Sequence, residues 1–283
     1  MSNLACITCH YNFNNFQLPI KNLHSFLGRM EDHRIPVYGI ELILPYQKSE
    51  TKNLPNWKQI EIDPESNIMW QKEALLNLAE KLVPRYYENI AWIDADIIFF
   101  NRNWIDDTIQ KLQKYDILHL YEKVYRLDVY GKSIDESDSI VKNIKSGCSG
   151  HAWAMKRYLW KNIDGLYDRC IAGGGDLSMA KAFLGFPSSQ RDFNVGSNLE
   201  LFKQWSARLT GSKIGHLSGV ICHEYHGSRE NRQHMSRSTL TRGMDLCNDV
   251  EKDHQGIFQW NKFVRYPVKY HMKKYFLNRK EDL

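Results

Sequence analysis

No apolar stretch in this chain of 283 residues approaches the ~18 a membrane span needs. The N-terminal MSNLACITCHYNF also lacks the apolar core of a secretory signal, so a cytoplasmic setting is expected, with peripheral membrane contact at most. Cysteines are few and scattered, at 6, 9, 148, 170, 222 and 247, which excludes a disulfide framework and leaves reduced thiols as the expectation. Cys6-Ile7-Thr8-Cys9-His10 matches the C-x-x-C-H haem attachment string, but it falls on an expected first strand, and haem attachment is rejected. Charge of one sign is also scarce. A net +5 suits an anionic small ligand and falls short of a nucleic-acid footprint. Internal repeats, low-complexity tracts and linkers are missing, so a single domain is the simplest organisation.

What is present alternates. Strand-like runs at Leu4–Cys9, Pro36–Leu44, Lys58–Ile62, Ile90–Ile93 and Asp116–Tyr121 are separated by helical patterns at Leu18–Met30, Met69–Leu82 and Trp104–Lys114. Such alternation predicts an α/β fold with a mostly parallel central sheet flanked by helices. Beyond Tyr121 the pattern loosens. The polar stretch Glu122–Ser146 is expected to be a mobile loop, Lys213–Cys222 a strand, and the last fifty residues terminal helices. The segment from Lys262 to Lys280 is basic and aromatic, which suits either a solvated terminal helix or contact with anionic lipid.

Three strings can carry chemistry. Asn89–Phe100 reads NIAWIDADIIFF, an apolar strand ending in Asp94 and Asp96. Open α/β sheets place their ligands at the carboxyl ends of strands. In an extended segment residues i and i+2 point the same way, so both acids can face one divalent cation or one ribose; a solvated turn after the strand is the plainer alternative. The second string, Cys222-His223-Glu224-Tyr225-His226-Gly227, places two imidazoles at i and i+3, as paired metal ligands or as ordinary surface or core histidines. Its H-E-x-H spacing is not that of a helical zinc-protease site. In the third, Gly173-Gly174-Gly175-Asp176 precedes a helical run, and Asp176 is either a helix N-cap or a carboxylate held at the cleft as a general base.

In this order and spacing, the strings resemble the GT-A-fold glycosyltransferases, and within them the inverting β-1,4-galactosyltransferase type. The resemblance spans about Leu4 to Arg232. It implies a Rossmann-like sheet in a single domain at 1–283, with a nucleotide-binding half (1–121), an acceptor and metal half (122–233) and a C-terminal helical extension (234–283). It implies Asp96, supported by Asp94, as the aspartate-x-aspartate holding Mn²⁺ (or Mg²⁺) against a nucleotide-sugar diphosphate, with His223 and His226 as the distal ligands. Asp176 matches the acid that deprotonates the acceptor hydroxyl. Gly150 and Trp153 match the sugar-pocket segment, and Lys72 and Asn77 fall where nucleotide or diphosphate is contacted. Thr8 and Tyr11 lie in the nucleotide segment, but Thr8-Cys9-His10-Tyr11-Asn12 replaces the usual Pro and Arg. Gly175 stands where the family often has Glu.

The resemblance therefore implies a metal-dependent hexosyltransferase acting on a UDP-linked sugar, with inversion, toward a glycan, lipid or protein acceptor. Arg229 and Arg232, beyond the histidines, would be phosphate clamps or solvated charges. Two alternatives use the same residues. A metal-dependent phosphoesterase would hydrolyse without an acceptor, and a non-catalytic carbohydrate-binding protein would have no use for Asp176 or the metal ligands.

Overall fold

The computed structural model describes residues 3–186, 198–233, 240–241 and 244–283. Its first half runs β1 (Leu4–Tyr11), α1 (Gln17–Asp32), β2 (Val37–Ile43), β3 (Trp57–Glu61), α2 (Lys72–Glu80), β4 (Asn89–Ile93), β5 (Ile97–Phe99) and α3 (Trp104–Lys111). Then come β6 (Ile117–His119), β7 (Lys123–Leu127), β8 (Ser133–Asp138), β9 (Ala152–Lys156), α4 (Arg157–Asn162), α5 (Gly175–Phe183) and α6 (Leu199–Ala207). The chain finishes with β10 (Ile214–His216), β11 (Val220–His223), β12 (Val250–Lys252), β13 (Phe258–Trp260) and α7 (Tyr266–Leu277).

Apolar residues on both faces of the central strands dictate the layering. Along β1, Ala5 and Ile7 enter one core while Leu4 and Cys6 enter the other; along β4, Ile90 and Trp92 oppose Ala91 and Ile93. Strands of this kind need cover on both sides. Helices α2, α5 and α6 pack with the first core, through Leu75, Ala79, Met179, Phe183 and Phe202, and α1 and α3 with the second, through Phe26, Met30 and Trp104. The resulting sheet has the order β10-β6-β9-β4-β1-β2-β3 and is parallel except for β9, which runs against β4 and β6. This is the mostly parallel, helix-flanked α/β sheet expected.

A second sheet, β5-β11-β7-β8, sits where the chain leaves β4. Two expectations are corrected here. The stretch read as a mobile loop holds the antiparallel pair β7–β8, fastened by Lys123–Glu136 at 2.9 Å and Arg126–Asp135 at 2.8 Å. β8 buries neither face, so its sequence carries no alternation to read. The expected strand Lys213–Cys222 is two strands in different sheets: β10 joins β6, and after Gly219, at φ +131°, β11 joins β5 and β7.

The C-terminal extension is also not purely helical. It contains the β12–β13 hairpin, tied to the N-terminus of α2 by Gln71, whose amide accepts from Phe258 N–H (2.9 Å) and donates to Phe258 C=O (2.7 Å). Only α7 is a helix among its described residues. The last residues return to the N-terminal half, where the Asp282 carboxylate accepts the N–H groups of Gln17 and Leu18 (2.9 and 2.8 Å). It thereby caps α1, which has no side-chain cap of its own. Among the described residues no helix is long and apolar enough to cross a membrane.

Candidate active site

Strand β4 belongs to the large sheet and β5 to the small one, so the chain must turn between them at Asp94-Ala95-Asp96. The turn separates the two acids. Asp94 reaches Lys72 of α2 at 2.7 Å, and the same ammonium lies 3.3 Å from Asp176. Asp96 turns the other way, its Oδ2 lying 3.3 Å from His223 Nε2 and 3.2 Å from His226 Nε2. The sequence offers both acids to one divalent cation or one ribose; here each acid has its own side-chain partners. Asp96, His223 and His226 each present a ligand atom to one locus, all within 4.8 Å of one another, and Asp94 does not join them.

Each member of this cluster is placed by backbone. β11 is antiparallel to β5 with His223 opposite Ile97, and Glu224 N–H donates to Asp96 C=O at 2.8 Å, which locks the histidine loop to the acidic turn. His226 follows three residues later, beyond the end of the strand. Gly227 there has φ +94°, and a Cβ on it would lie 2.6 Å from Lys280 C=O, so only glycine allows the C-terminal tail to close over the loop. That tail brings Glu281, whose Oε2 is 3.1 Å from His226 Nδ1, and Arg279, paired with Glu281 at 2.7 Å.

The electrostatics suit a cation. Burial holds His223 down at about 4, against the pull of Asp96, so its ring is neutral at physiological pH. Burial opposes the Asp96 charge, but His223 and His226 outweigh it and hold the carboxyl well below its ordinary range. Burial likewise opposes the charge of Glu281, yet Arg279 and His226 draw it down to about 2. Asp96 Oδ1 is buried without a hydrogen-bond partner. An ionised carboxylate with a spare lone pair beside two imidazoles fits a first-row divalent cation such as Mn²⁺ better than Mg²⁺, which prefers all-oxygen shells.

These groups open on a cleft of about 560 Å³. Lys72, Asp94 and Asp176 line it on one side; Arg126, Arg229, Arg232 and Arg279 bring positive charge to it from the other elements. Arg232 was open to reading as a solvated charge, but it is half-buried, with a guanidinium nitrogen 2.8 Å from His226 Nε2. Arg232 and Arg279 each keep a buried Nε–H without a partner. Burial works against the Lys72 charge, but Asp176, Asp94 and Glu73 together hold its ammonium well above the usual lysine range. Lys72 therefore stays charged and fixes two carboxylates at once.

Asp176 owes its position to the glycines. Gly173 and Gly174 both have left-handed backbone, φ +85° and +84°, which swings the chain into α5 with Asp176 in its first turn. Gly175 is explained by Glu73. A Cβ at 175 would lie 2.5 Å from Glu73 Oε1, so the volume a side chain would take there is filled from α2.

The other expected residues divide. Gly150 and Tyr11 line the cleft, and Thr8 does too, although its hydroxyl is committed to Ile93 C=O at 2.7 Å. Trp153 and Asn77 do not line it. Trp153 faces inward from β9, stacked on His119 at 4.0 Å between ring centroids, with its indole N–H on Ser149 C=O. Asn77 lies five positions beyond Lys72, about 140° round the helix, and holds Leu166 by both backbone groups at 2.8 and 2.9 Å. Glu281, Arg279 and Arg126 were not singled out from sequence. Nothing local marks Glu281, which is 55 residues from its histidine.

No protein-family model matches the chain, and no curated protein sequence does. Solved structures do. The catalytic domain of Drosophila β1,4-galactosyltransferase 7 in complex with xylobiose is 11% identical, covering 95% of this chain and 98% of that one, with a TM-score of 0.44. A point mutant of that enzyme in complex with manganese, UDP-Gal and xylobiose is 10% identical over the same shares, with a TM-score of 0.46. A Bacillus anthracis glucose-1-phosphate thymidylyltransferase in complex with sucrose is 11% identical, covering 89% and 98%, with a TM-score of 0.42. At these identities and scores the functional reading rests on the site's own residues.

Proposed function

We propose that the protein is a metal-dependent glycosyltransferase that moves a sugar from a nucleoside-diphosphate donor, UDP-linked, to an acceptor hydroxyl with inversion. The observation that carries this reading is the convergence of Asp96, His223 and His226 on one locus of a cleft that also holds Asp176 and a set of arginines. An anionic diphosphate is matched by Arg232 and Arg279, whose unspent Nε–H groups can donate to phosphate oxygens. A divalent cation held by Asp96, His223 and His226 would offset the negative charge that grows on the leaving diphosphate.

The chain's own groups supply the rest. Asp176 accepts the proton of the acceptor hydroxyl as that oxygen bonds to the anomeric carbon and the carbon–oxygen bond to the diphosphate breaks. Attack from the face opposite the leaving group inverts the centre. Lys72 orients Asp176 and Asp94 together, leaving Asp94 for the ribose or for the sugar. Tyr11, packed edge-on to Trp70, offers an aromatic wall for the nucleoside.

The deciding experiment is a donor screen: thermal shift and nucleotide release with Mn²⁺ and a panel of UDP-, GDP- and CMP-sugars, with and without EDTA. Metal-dependent stabilisation by one donor, with nucleotide release accelerated by an acceptor, is expected. Release of phosphate from simple esters with no donor preference would assign the site to hydrolysis instead.

A further inference from the structure

The cleft is not the only surface of this molecule built for an anion. We propose that α7 and the loop leading into it form a docking surface for an anionic phospholipid bilayer. Between Asn261 and Asn278 the chain carries Lys262, Arg265, Lys269, Lys273 and Lys274 and no Asp or Glu. Of these, only Lys273 is ion-paired among the described residues, with Glu65.

Helix geometry gathers two of these cations, Lys273 and Lys274, with two tyrosines on one side of α7. At 100° per residue, Tyr266, Tyr270, Lys273, Lys274 and Leu277 fall within an arc of about 100°. Met272, Tyr275 and Phe276 lie outside that arc and are buried in the core. The helix is thus anchored by one stripe and presents the other outward.

Exposed rings lie on that stripe and in the loop that leads into it. Phe263 is 82% exposed, Tyr266 74% and Tyr270 45%. The rings and cations are held together: Lys262 sits 4.8 Å over the Phe263 ring, Lys274 5.7 Å over Tyr270, and Tyr266 stacks on Tyr270 at 6.1 Å. A soluble polyanion would be matched by the charges alone, and rings held in water would add nothing. A bilayer uses both, since aromatic rings settle at headgroup level while Lys and Arg meet anionic headgroups. The far end of α7 leads to Arg279, which lines the cleft. The inference stands on the patch alone and is independent of what the cleft does.

Co-sedimentation with vesicles tests it, using phosphatidylcholine alone and phosphatidylserine-rich mixtures. Binding to the anionic vesicles alone, weakening with salt, is expected. The combined Lys262→Glu, Lys269→Glu and Lys274→Glu variant should lose more than about a hundredfold in affinity, at roughly fivefold for each cation removed. The Phe263→Ala, Tyr266→Ala variant should bind anionic vesicles more weakly while its affinity for heparin is unchanged. No sedimentation with anionic vesicles would overturn the proposal, as would equal binding to neutral ones. Loss of neither affinity on removing the rings would assign the patch to a soluble polyanion. If the charge-reversed chain fails to fold by circular dichroism, the salt titration of the unaltered protein and the aromatic variant still decide.

Discussion

Glu281 Oε2 lies 3.1 Å from Nδ1 of His226, while Nε2 of the same ring lies 3.2 Å from Asp96 Oδ2. One carboxylate therefore fixes the ring from behind while the other shares its ligand face. In the proposed metal site Glu281 would be the outer carboxylate that orients the imidazole. It makes the C-terminal tail part of the site.

Glu281→Gln should weaken Mn²⁺ binding by roughly 10- to 100-fold while leaving the fold intact. Metal titration by calorimetry reads this directly. Unchanged affinity would reduce Glu281 to a tether for the tail.

Asp176→Asn keeps the shape of the side chain and removes its capacity to accept a proton. Turnover should fall by about 10²- to 10⁴-fold while the donor-induced thermal shift persists. A variant that turns over normally would take the base assignment away from Asp176.

Gly175→Ala should destabilise the protein by about 1–3 kcal/mol, because the new methyl would lie 2.5 Å from Glu73 Oε1, and Glu73 is enclosed. Adding Glu73→Ala should recover part of that loss. A double-mutant cycle by urea unfolding measures the coupling, and strict additivity would mean the two positions do not compete for space.

Both oxygens of Glu73 are buried without a partner, and burial, reinforced by Asp176 and opposed by Lys72, pushes its carboxyl up to about 8 from 4.5. Between those values the folded chain holds a proton that the unfolded chain has released. Stability from this group is therefore highest at low pH, falls as pH rises through the window, and reaches its full loss above about 8. Against Glu73→Gln, the unaltered protein should lose on the order of a few kcal/mol between about pH 5 and about pH 9. Urea unfolding of both proteins at the two pH values checks it. Parallel pH profiles would place the shift elsewhere.

Local sequence carried the parts of this protein whose physics is local. The unbroken apolar run of β4 announces a strand covered on both faces, and the alternation of strands with amphipathic helices announces the layered sheet. Gly173-Gly174-Gly175 likewise announces a turn before the helix start at Asp176, while its left-handed backbone belongs to the structure. The β7–β8 hairpin was not legible, because β8 is polar and buries neither face and β7 buries only Val124, so neither strand shows an apolar alternation. Only the tertiary structure decided which acid serves which partner. The change of sheet between β4 and β5 sends Asp94 to Lys72 and Asp96 to the histidines, a divergence no dipeptide spacing contains. It also decided that Glu73 fills the space at Gly175 and that Glu281 backs His226. Both are contacts between residues remote in the chain, and packing selects them after the elements have formed.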